Sequence, residues 1–318
     1  MYYLKDYREG AKFSGVYLCK QRQILKSKAG KTYWSLILQD RTGTIDGKIW
    51  DLTNAIEEFD SLDYIACEGS VTSFQGNLQV NITRVRRADE GEYDPADYIP
   101  CTDKDMDAMM QEFTSYIDSV KNTYLNQLLK KYFVDDAAFL KSFKAHSAAK
   151  SVHHSFMGGL VEHTLAVTRM CDLFAKQYLR INRDLLITAA MLHDIGKVYE
   201  LTEFPANDYS DEGNLLGHIY IGAHKIENTC DSIDGFPSEM RAELLHCILA
   251  HHGKLEYGSP KTPGLMEALA LHMADNTDAK LQIMTEALDA AGDKMEWLGN
   301  NRFLDGSNIR QTHTKSEA

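Results

Sequence analysis

His193-Asp194-Ile195-Gly196-Lys197 puts an imidazole, a carboxylate, a glycine and an ammonium within five consecutive residues. The run before it (Leu185, Leu186, Ala189, Met191, Leu192) has the spacing of a helix buried on one side. Burying a charge at the end of such a helix is costly unless it is paired or binds a metal. The chemistry this points to is a metal site. His193 would give one ion a ring nitrogen, and Asp194 would give one oxygen to each of two ions. Gly196 would let the chain turn, and Lys197 would aim its ammonium at a phosphate.

Further ligand types are spaced as such a site requires. His163, His218, the pair His251-His252 and Asp275 each lie in a segment of helical periodicity. Several helices, each placing a polar ligand inward, are a common way to build a binuclear centre. Neighbouring residues of a helix diverge by about 100°, so His251 and His252 reach one ion only if the helix ends there. Gly253 makes such an end plausible; His251 is the favoured ligand and His252 the second choice. His153 and His154 open the helix carrying His163, to cap it or touch substrate, whereas His146, His224, His272 and His313 read as structural. A donor set of imidazole and carboxylate without thiolate suits Mn, Fe, Co or Zn. No Ser/His/Asp set and no glycine-rich phosphate loop after a strand is present in the sequence.

The order His…His-Asp…His…His…Asp with its HDIGK string resembles the HD superfamily of metal-dependent phosphohydrolases. The strings HHSFMGGLVEHT, GHIYIG, LAHHG and ADNTDAK are closer still to the YhaM-type 3′-to-5′ exoribonucleases, which join such a domain to an amino-terminal OB fold. The resemblance runs from about Phe13 to about Lys280. It implies His163, His193, Asp194, His218 and Asp275 as ligands, with His251 or His252 beside them, and Mn²⁺ as the metal. Direction, RNA preference and nucleoside 5′-monophosphate products are likewise implied by the resemblance. Residue chemistry by itself supplies metal-assisted phosphodiester hydrolysis: two ions about 3.5–4 Å apart activate water and steady the leaving oxygen. Asp194 is the expected bridge, Lys197 the stabiliser of phosphate charge, and Glu162 a group that orients an imidazole.

The elements that must position these groups follow from hydrophobic period. In residues 11–87, strands are expected over Val16–Leu25, Trp34–Leu38, Thr44–Trp50, Tyr64–Thr72 and Leu78–Val85. Turns fall at Ser27-Lys28-Ala29-Gly30-Lys31, Asp40-Arg41-Thr42-Gly43 and Gln75-Gly76-Asn77. Leu52 to Phe59 has helical spacing, so five strands enclose one helix between the third and fourth, the layout of an OB barrel. Such folds hold single strands on aromatic platforms beside a basic groove. Candidates are Tyr33, Trp50, Lys48, Arg84 and Arg86, with Lys31 and Phe74 also considered; Trp34 shares a face with Leu36 and Leu38 and is expected in the core.

The fold expected is therefore multidomain, an all-β OB barrel followed by an all-α HD-type domain. Its parts are residues 1–88, an acidic linker 89–105, a helical connector 106–150 packing on the catalytic domain, the catalytic domain 151–299 and a polar tail 300–318 that frays. Net charge is −12, but residues 1–88 carry 13 Lys+Arg against 10 Asp+Glu while the remainder is acidic, so the overall sign does not exclude a nucleic-acid partner. The acidic part is expected to attract a strand only at its metals and Lys197. Six scattered cysteines fit reduced thiols, and no run is long enough to span a bilayer. The expectation is a cytoplasmic exonuclease acting on single-stranded RNA, with single-stranded DNA a second substrate and a homo-oligomer left open. Its rivals are a phosphohydrolase of small nucleotides or cyclic dinucleotides and a non-catalytic single-strand-binding adaptor.

Overall fold

A computed structural model describes residues 2–27, 30–53, 56–74, 77–150, 154–292 and 296–314. His153 and the turn residues Lys28, Ala29, Gln75 and Gly76 lie outside the described residues. The chain forms two compact units, one of residues 1–101 and 204–206 and the other of residues 102–203 and 207–318.

Alternating apolar residues build the first unit from β1 (Lys12–Lys26), β2 (Thr32–Asp40), β3 (Gly43–Ile49), β4 (Tyr64–Phe74) and β5 (Asn77–Arg87). They close into a barrel in the order β1-β2-β3-β5-β4. All pairings are antiparallel except β3 with β5. β1 serves two neighbours: its first half pairs with β4 and its second half with β2, with a bulge between Cys19 and Gln21 at the changeover. A bulge bends a strand and increases its twist, which is what closure needs. Phe13, Tyr17, Leu36, Leu38, Ile49, Ile65, Val71, Val80 and Val85 fill the interior, and closure leaves no sheet edge to protect.

The helix expected over Leu52–Phe59 is not formed among the described residues. Leu52 and Ile56 pack against the barrel core and Phe59 is buried in it, so the same apolar spacing is satisfied by an irregular chain. The Asp51 carboxylate accepts from the Thr53 amide at 3.1 Å in an Asx turn, and Ile56 forms a bridge with Val85; both take the backbone out of helical pairing. Trp34 is half-buried and meets Phe59 edge-on at 5.5 Å. The acidic stretch after β5 is more than a spacer. Tyr93 stacks on Tyr64 at 3.8 Å, Tyr98 is buried, and Gln39 donates to the Tyr98 carbonyl at 3.0 Å.

The second unit contains α1 (Met106–Ser119), α2 (Thr123–Lys130), α3 (Ala137–Ala145), α4 (Gly159–Gln177), α5 (Arg183–Leu192), α6 (Lys197–Glu200), α7 (Asp211–Asp231), α8 (Ser238–Ala250) and α9 (Met266–Ala291). Asp105, Asn122, Asp136, Asn182 and Ser210 cap α1, α2, α3, α5 and α7 with side-chain oxygens. One continuous core runs from Phe113, Leu128 and Phe143 through Leu165 and Met191 to Ile248 and Leu271. α5 is buried all round from Leu185 to Leu192, not on one side as its spacing suggests, and so is the central helix.

The carboxy-terminal stretch is also built. Short strands β6 (Asn300–Asn301) and β7 (Ser307–Asn308) pair across a helical turn, Arg302–Leu304. Leu304 and Ile309 are buried, Asn301 caps the turn at the Phe303 amide, and Lys280 of α9 pairs with Asp305 at 2.7 Å. Two buried apolar side chains outweigh the polar composition that suggested fraying.

Gly69 sits at a bulge between β4 and β5, where an added Cβ would lie 2.1 Å from the Asn81 carbonyl oxygen. Gly69→Val should therefore cost the barrel about 3 kcal/mol or more by overpacking. Differential scanning calorimetry should show an early transition for the first unit, with metal uptake by the second unit unchanged.

Candidate metal centre

α5 delivers the His-Asp pair. The helix stops at Leu192, and His193 continues in helical conformation with its Nδ1 on the Ala190 carbonyl at 2.8 Å. Gly196 is itself α-helical (φ −61°), so the turn expected of it is not its role. Its role is close approach: a Cβ would meet the His218 carbonyl oxygen at 2.1 Å. α6 and α7 can touch only because that side chain is missing.

His218 enters through an interruption in α7. Gly217 has φ 72° and ψ 153°, a conformation open mainly to glycine, and the helix restarts after it. Glu200 of α6 accepts both from the restarting His218 amide and from its Nδ1, each at 2.9 Å. His251 and His252 follow the end of α8, with Gly253 at φ 77° turning the chain away. Their Nδ1 atoms meet the Ile248 carbonyl at 2.6 Å and the Tyr257 carbonyl at 2.8 Å. Because the helix has ended, both rings reach the site.

From α4 comes His163, and from α9 Asp275. His163 Nε2 lies 3.4 Å from Asp194 Oδ2, 3.2 Å from Asp275 Oδ1 and 3.2 Å from His193 Nε2. Its Nδ1 meets Asp278 Oδ2 at 2.7 Å, an oxygen that also receives His154 Nε2 at 3.0 Å. Asp278 is thus the carboxylate that orients His163. Glu162, expected to orient an imidazole, does not face His163, because adjacent helical residues diverge; it meets Thr102 at 2.6 Å and Lys104 at 2.7 Å and lies 3.7 Å from His154 Nδ1. Asp278 was findable: it stands three residues after Asp275 on the same helix face. Glu200 carries no such signal, because only the fold brings it to His218.

Three groups of ligand atoms among the described residues could each surround a cation: His163-His193-Asp275 and His218-His251-His252, which flank Asp194, and His154-His163-Asp278, whose atoms already bond one another. Asp194 stands between the first two. Oδ2 faces His163 and His193 (3.4 and 3.2 Å), and Oδ1 faces His218 and His251 (3.5 and 3.7 Å). Lys197 Nζ is 2.7 Å from Asp194 Oδ2 and borders the open cleft. Among the described residues, Asp194 Oδ1, His218 Nε2 and His251 Nε2 are buried without a hydrogen-bond partner, while Asp194 Oδ2 has the Lys197 ammonium at 2.7 Å. Orphaned acceptors of this kind are costly, and a metal pair satisfies them all. The donor set fits divalent cations.

Electrostatics agree with that fit. Burial alone would lower the His163 pKa, but Asp194, Asp275 and Asp278 outweigh it and hold the value well above the ordinary one. Desolvation pushes His251 down, reinforced by His252 and His193, and His252 falls for the same reason with His218 beside it. Burial would raise Asp194, Asp275 and Asp278, yet Lys197 with the imidazoles of His193 and His163 keeps Asp194 below the usual carboxylate range, and imidazoles alone do so for Asp275 and Asp278.

On the barrel, Tyr33 stacks on Trp50 at 4.5 Å, and Trp50 Nε1 donates to Asn81 at 3.1 Å. Lys48 lies along the same strands but is spent on Asp46 (2.9 Å) and Ser35 (2.7 Å). Arg84 and Arg86 are not part of that platform. They line a separate pocket with Glu57 and Glu68, and Glu92 grips Arg86 with both oxygens at 2.7 and 2.6 Å. Phe74 is exposed. All six cysteines are free thiols, five of them buried.

A β-barrel of OB topology and a helical unit with clustered His and Asp define the class, a metal-dependent HD protein with an added nucleic-acid-binding fold. Comparison agrees: the HD domain family matches residues 160–280, and a family described as an OB-fold nucleic acid binding domain matches residues 20–88. The chain is 35% identical to the 3′-5′ exoribonuclease YhaM of Geobacillus sp. over 266 residues, 82% of this chain and 80% of the relative. It is 35% identical to the protein of the same name in Listeria innocua over 297 residues, 90% of each. The chain belongs to the YhaM 3′-5′ exoribonuclease family. A solved OB domain of replication protein A from Methanococcus maripaludis aligns at 18% identity, covering 28% of this chain and 96% of that one, with a TM-score of 0.22. The strand order, not that alignment, defines the barrel.

Metal ligands must be deprotonated, so uptake displaces the proton that the raised pKa leaves on His163. Proton release should accompany binding of Mn²⁺, and affinity should fall as pH drops from about 8 to about 6, as calorimetry in buffers of differing ionisation enthalpy will show. Asp278→Asn should weaken metal binding roughly 10–100-fold, the usual cost of losing a carboxylate that orients a ligating histidine.

Proposed function

We propose that this chain is a 3′-to-5′ exoribonuclease that hydrolyses single-stranded RNA to nucleoside 5′-monophosphates, with single-stranded DNA a second substrate. The observation that carries the reading is the convergence of five imidazole Nε2 atoms and the Asp275 carboxylate around Asp194, in a chain of this family. His163, His193 and Asp275 would hold one divalent ion and His218, His251 and His252 the other, with Asp194 between the two groups. Mn²⁺ is the ion proposed. When bound, such a pair polarises a phosphoryl oxygen and lowers the pKa of water.

The protein's own contribution is order. The hydrogen bonds of the five Nδ1 atoms fix each ring with Nε2 turned inward, so no rearrangement is needed at the moment of reaction. Lys197 keeps its charge against the desolvation that opposes it, because Asp194 faces it and raises its pKa. It bounds the cleft where a phosphate would enter. The OB unit binds the single strand, with Tyr33 and Trp50 as its platform. Tethering that unit to the metal unit raises the local concentration of strand at the cleft. A substrate as small as a free nucleotide or a cyclic dinucleotide needs no such platform, which weighs against that rival. No described helix is long and apolar enough to cross a membrane; we place the protein in the cytoplasm. Light scattering tests whether it assembles as a homo-oligomer.

RNA labelled at its 5′ end, incubated with Mn²⁺, should shorten one nucleotide at a time and yield mononucleotides. Internal cuts, or an unaltered strand beside hydrolysed dinucleotide, would overturn the assignment. Asp194→Ala should abolish hydrolysis while leaving binding of a twenty-nucleotide strand within about twofold. Lys197→Ala should lower kcat by on the order of 100-fold, the scale of losing one electrostatic donor, while metal content by elemental analysis stays the same. Alanine at both Tyr33 and Trp50 should weaken binding of the twenty-mer and spare hydrolysis of a trimer, since stacking is worth roughly 1–3 kcal/mol per base.

A further inference from the structure

The helical unit, acidic as a whole, lines its metal cleft with cations as well as carboxylates. An open cleft of about 770 Å³ runs from Lys197, His218 and Asp275 outward between the carboxy-terminal hairpin and the loops around α6 and α8. Three exposed rings border it: Tyr209, Tyr257 and Phe303. Each carries a cation against its face. Lys150, which also pairs with Asp208, lies 5.4 Å from the Tyr209 centroid, Lys254 5.2 Å from that of Tyr257, and Arg302 4.6 Å from that of Phe303. The rings come from three separate parts of the chain, and no helical or strand period links them.

Exposed large rings cost free energy unless something covers them, and a ring paired with a cation has a defined use. Base faces stack on the ring while the cation meets the backbone phosphate, the combination used by proteins that grip single strands without reading sequence. The hairpin that presents Phe303 and Arg302 is anchored rather than loose. Leu304 and Ile309 are buried beside it and Lys280 is paired with Asp305. A rigid presenter is what a stacking platform requires, because ordering a mobile one would consume the gain.

We propose that Tyr209/Lys150, Tyr257/Lys254 and Phe303/Arg302 form a second single-strand platform that holds the last few nucleotides of the RNA 3′ end over the metal centre. This rests on the exoribonuclease reading and extends it. The barrel supplies affinity for long strands; the three pairs supply the grip on the end being cut, so short oligonucleotides remain substrates. It also revises the expectation that the acidic unit attracts RNA only through its metals and Lys197, because the cations are focused where the strand must lie.

The test uses the full chain carrying Trp50→Ala, so that binding to the barrel is already weakened. A fluorescent five-nucleotide RNA is titrated into metal-free protein, and KM and kcat for the unlabelled five-mer are measured with Mn²⁺. Phe303→Leu and Tyr257→Leu keep the apolar volume and remove the aromatic face. Each should weaken binding and raise KM about tenfold, with kcat and metal content within about twofold; Phe303→Tyr should restore both. Unchanged affinity and KM in both leucine variants would overturn the platform. So would equal loss in Phe303→Leu and Phe303→Tyr, which would mark the residue as packing only. The metal-free binding arm reads the platform even if the Mn²⁺ arm shows no hydrolysis, and that second result alone would count against the exoribonuclease reading.

Discussion

Everything in the helical unit is arranged around one buried carboxylate. Asp194 has a side chain only 2% exposed, and its two oxygens face imidazole nitrogens on opposite sides. A carboxylate in that position is tolerable only with positive charge close by. In the metal-free protein the ammonium of Lys197 and the proton held by His163 supply it; with metal bound, the cations would. The same constraint explains why α5 is central. A helix buried all round can end in a charged pair only where every neighbouring element contributes to neutralising it, so α4, α7, α8 and α9 all converge on its carboxy-terminal end.

Convergence of that kind demands close approach, and glycine permits it at several points, Gly196 and Gly253 among them. Gly196 lets α6 lie against the His218 carbonyl, and Gly253 leaves room for the His272 ring, which an added Cβ would approach to 2.3 Å. His272 in turn bonds the His251 carbonyl at 3.0 Å. Ring orientation is handled separately. Three histidines, His193, His251 and His252, bond through Nδ1 to main-chain carbonyls, while His163 and His218 use the carboxylates Asp278 and Glu200. The two carboxylates differ in consequence, since Asp278 also bonds His154 and ties the start of α4 to α9.

Charge in the first unit is managed differently. Its arginines near the end of β5 are matched by acidic partners, Glu68 for Arg84 and Glu92 for Arg86, while its exposed aromatic stack of Tyr33 on Trp50 stays open. At these positions the barrel surface is therefore more aromatic than freely basic. The metal-bearing unit follows the same rule at its cleft, where each exposed ring keeps its own cation.

Much of this was legible in residue order. Alternation at Trp34–Leu38 and at Leu78–Val85 fixed strands, because a strand buries one face and the period of two records it. The His-Asp pair with its outlying histidines and aspartate announced a metal site, because buried charge has few other uses. Spacing could not tell a helix from an irregular loop at Leu52–Phe59, since burial of Leu52, Ile56 and Phe59 is met by either. Nor could it assign second partners. Glu200, Asp278 and the three ring–cation pairs depend on which elements touch, and that is a property of packing. The sequence by itself determined which groups would be too costly to bury alone; tertiary structure decided which neighbours relieve that cost, because hydrogen bonds and ion pairs act over a few ångströms whatever the separation along the chain.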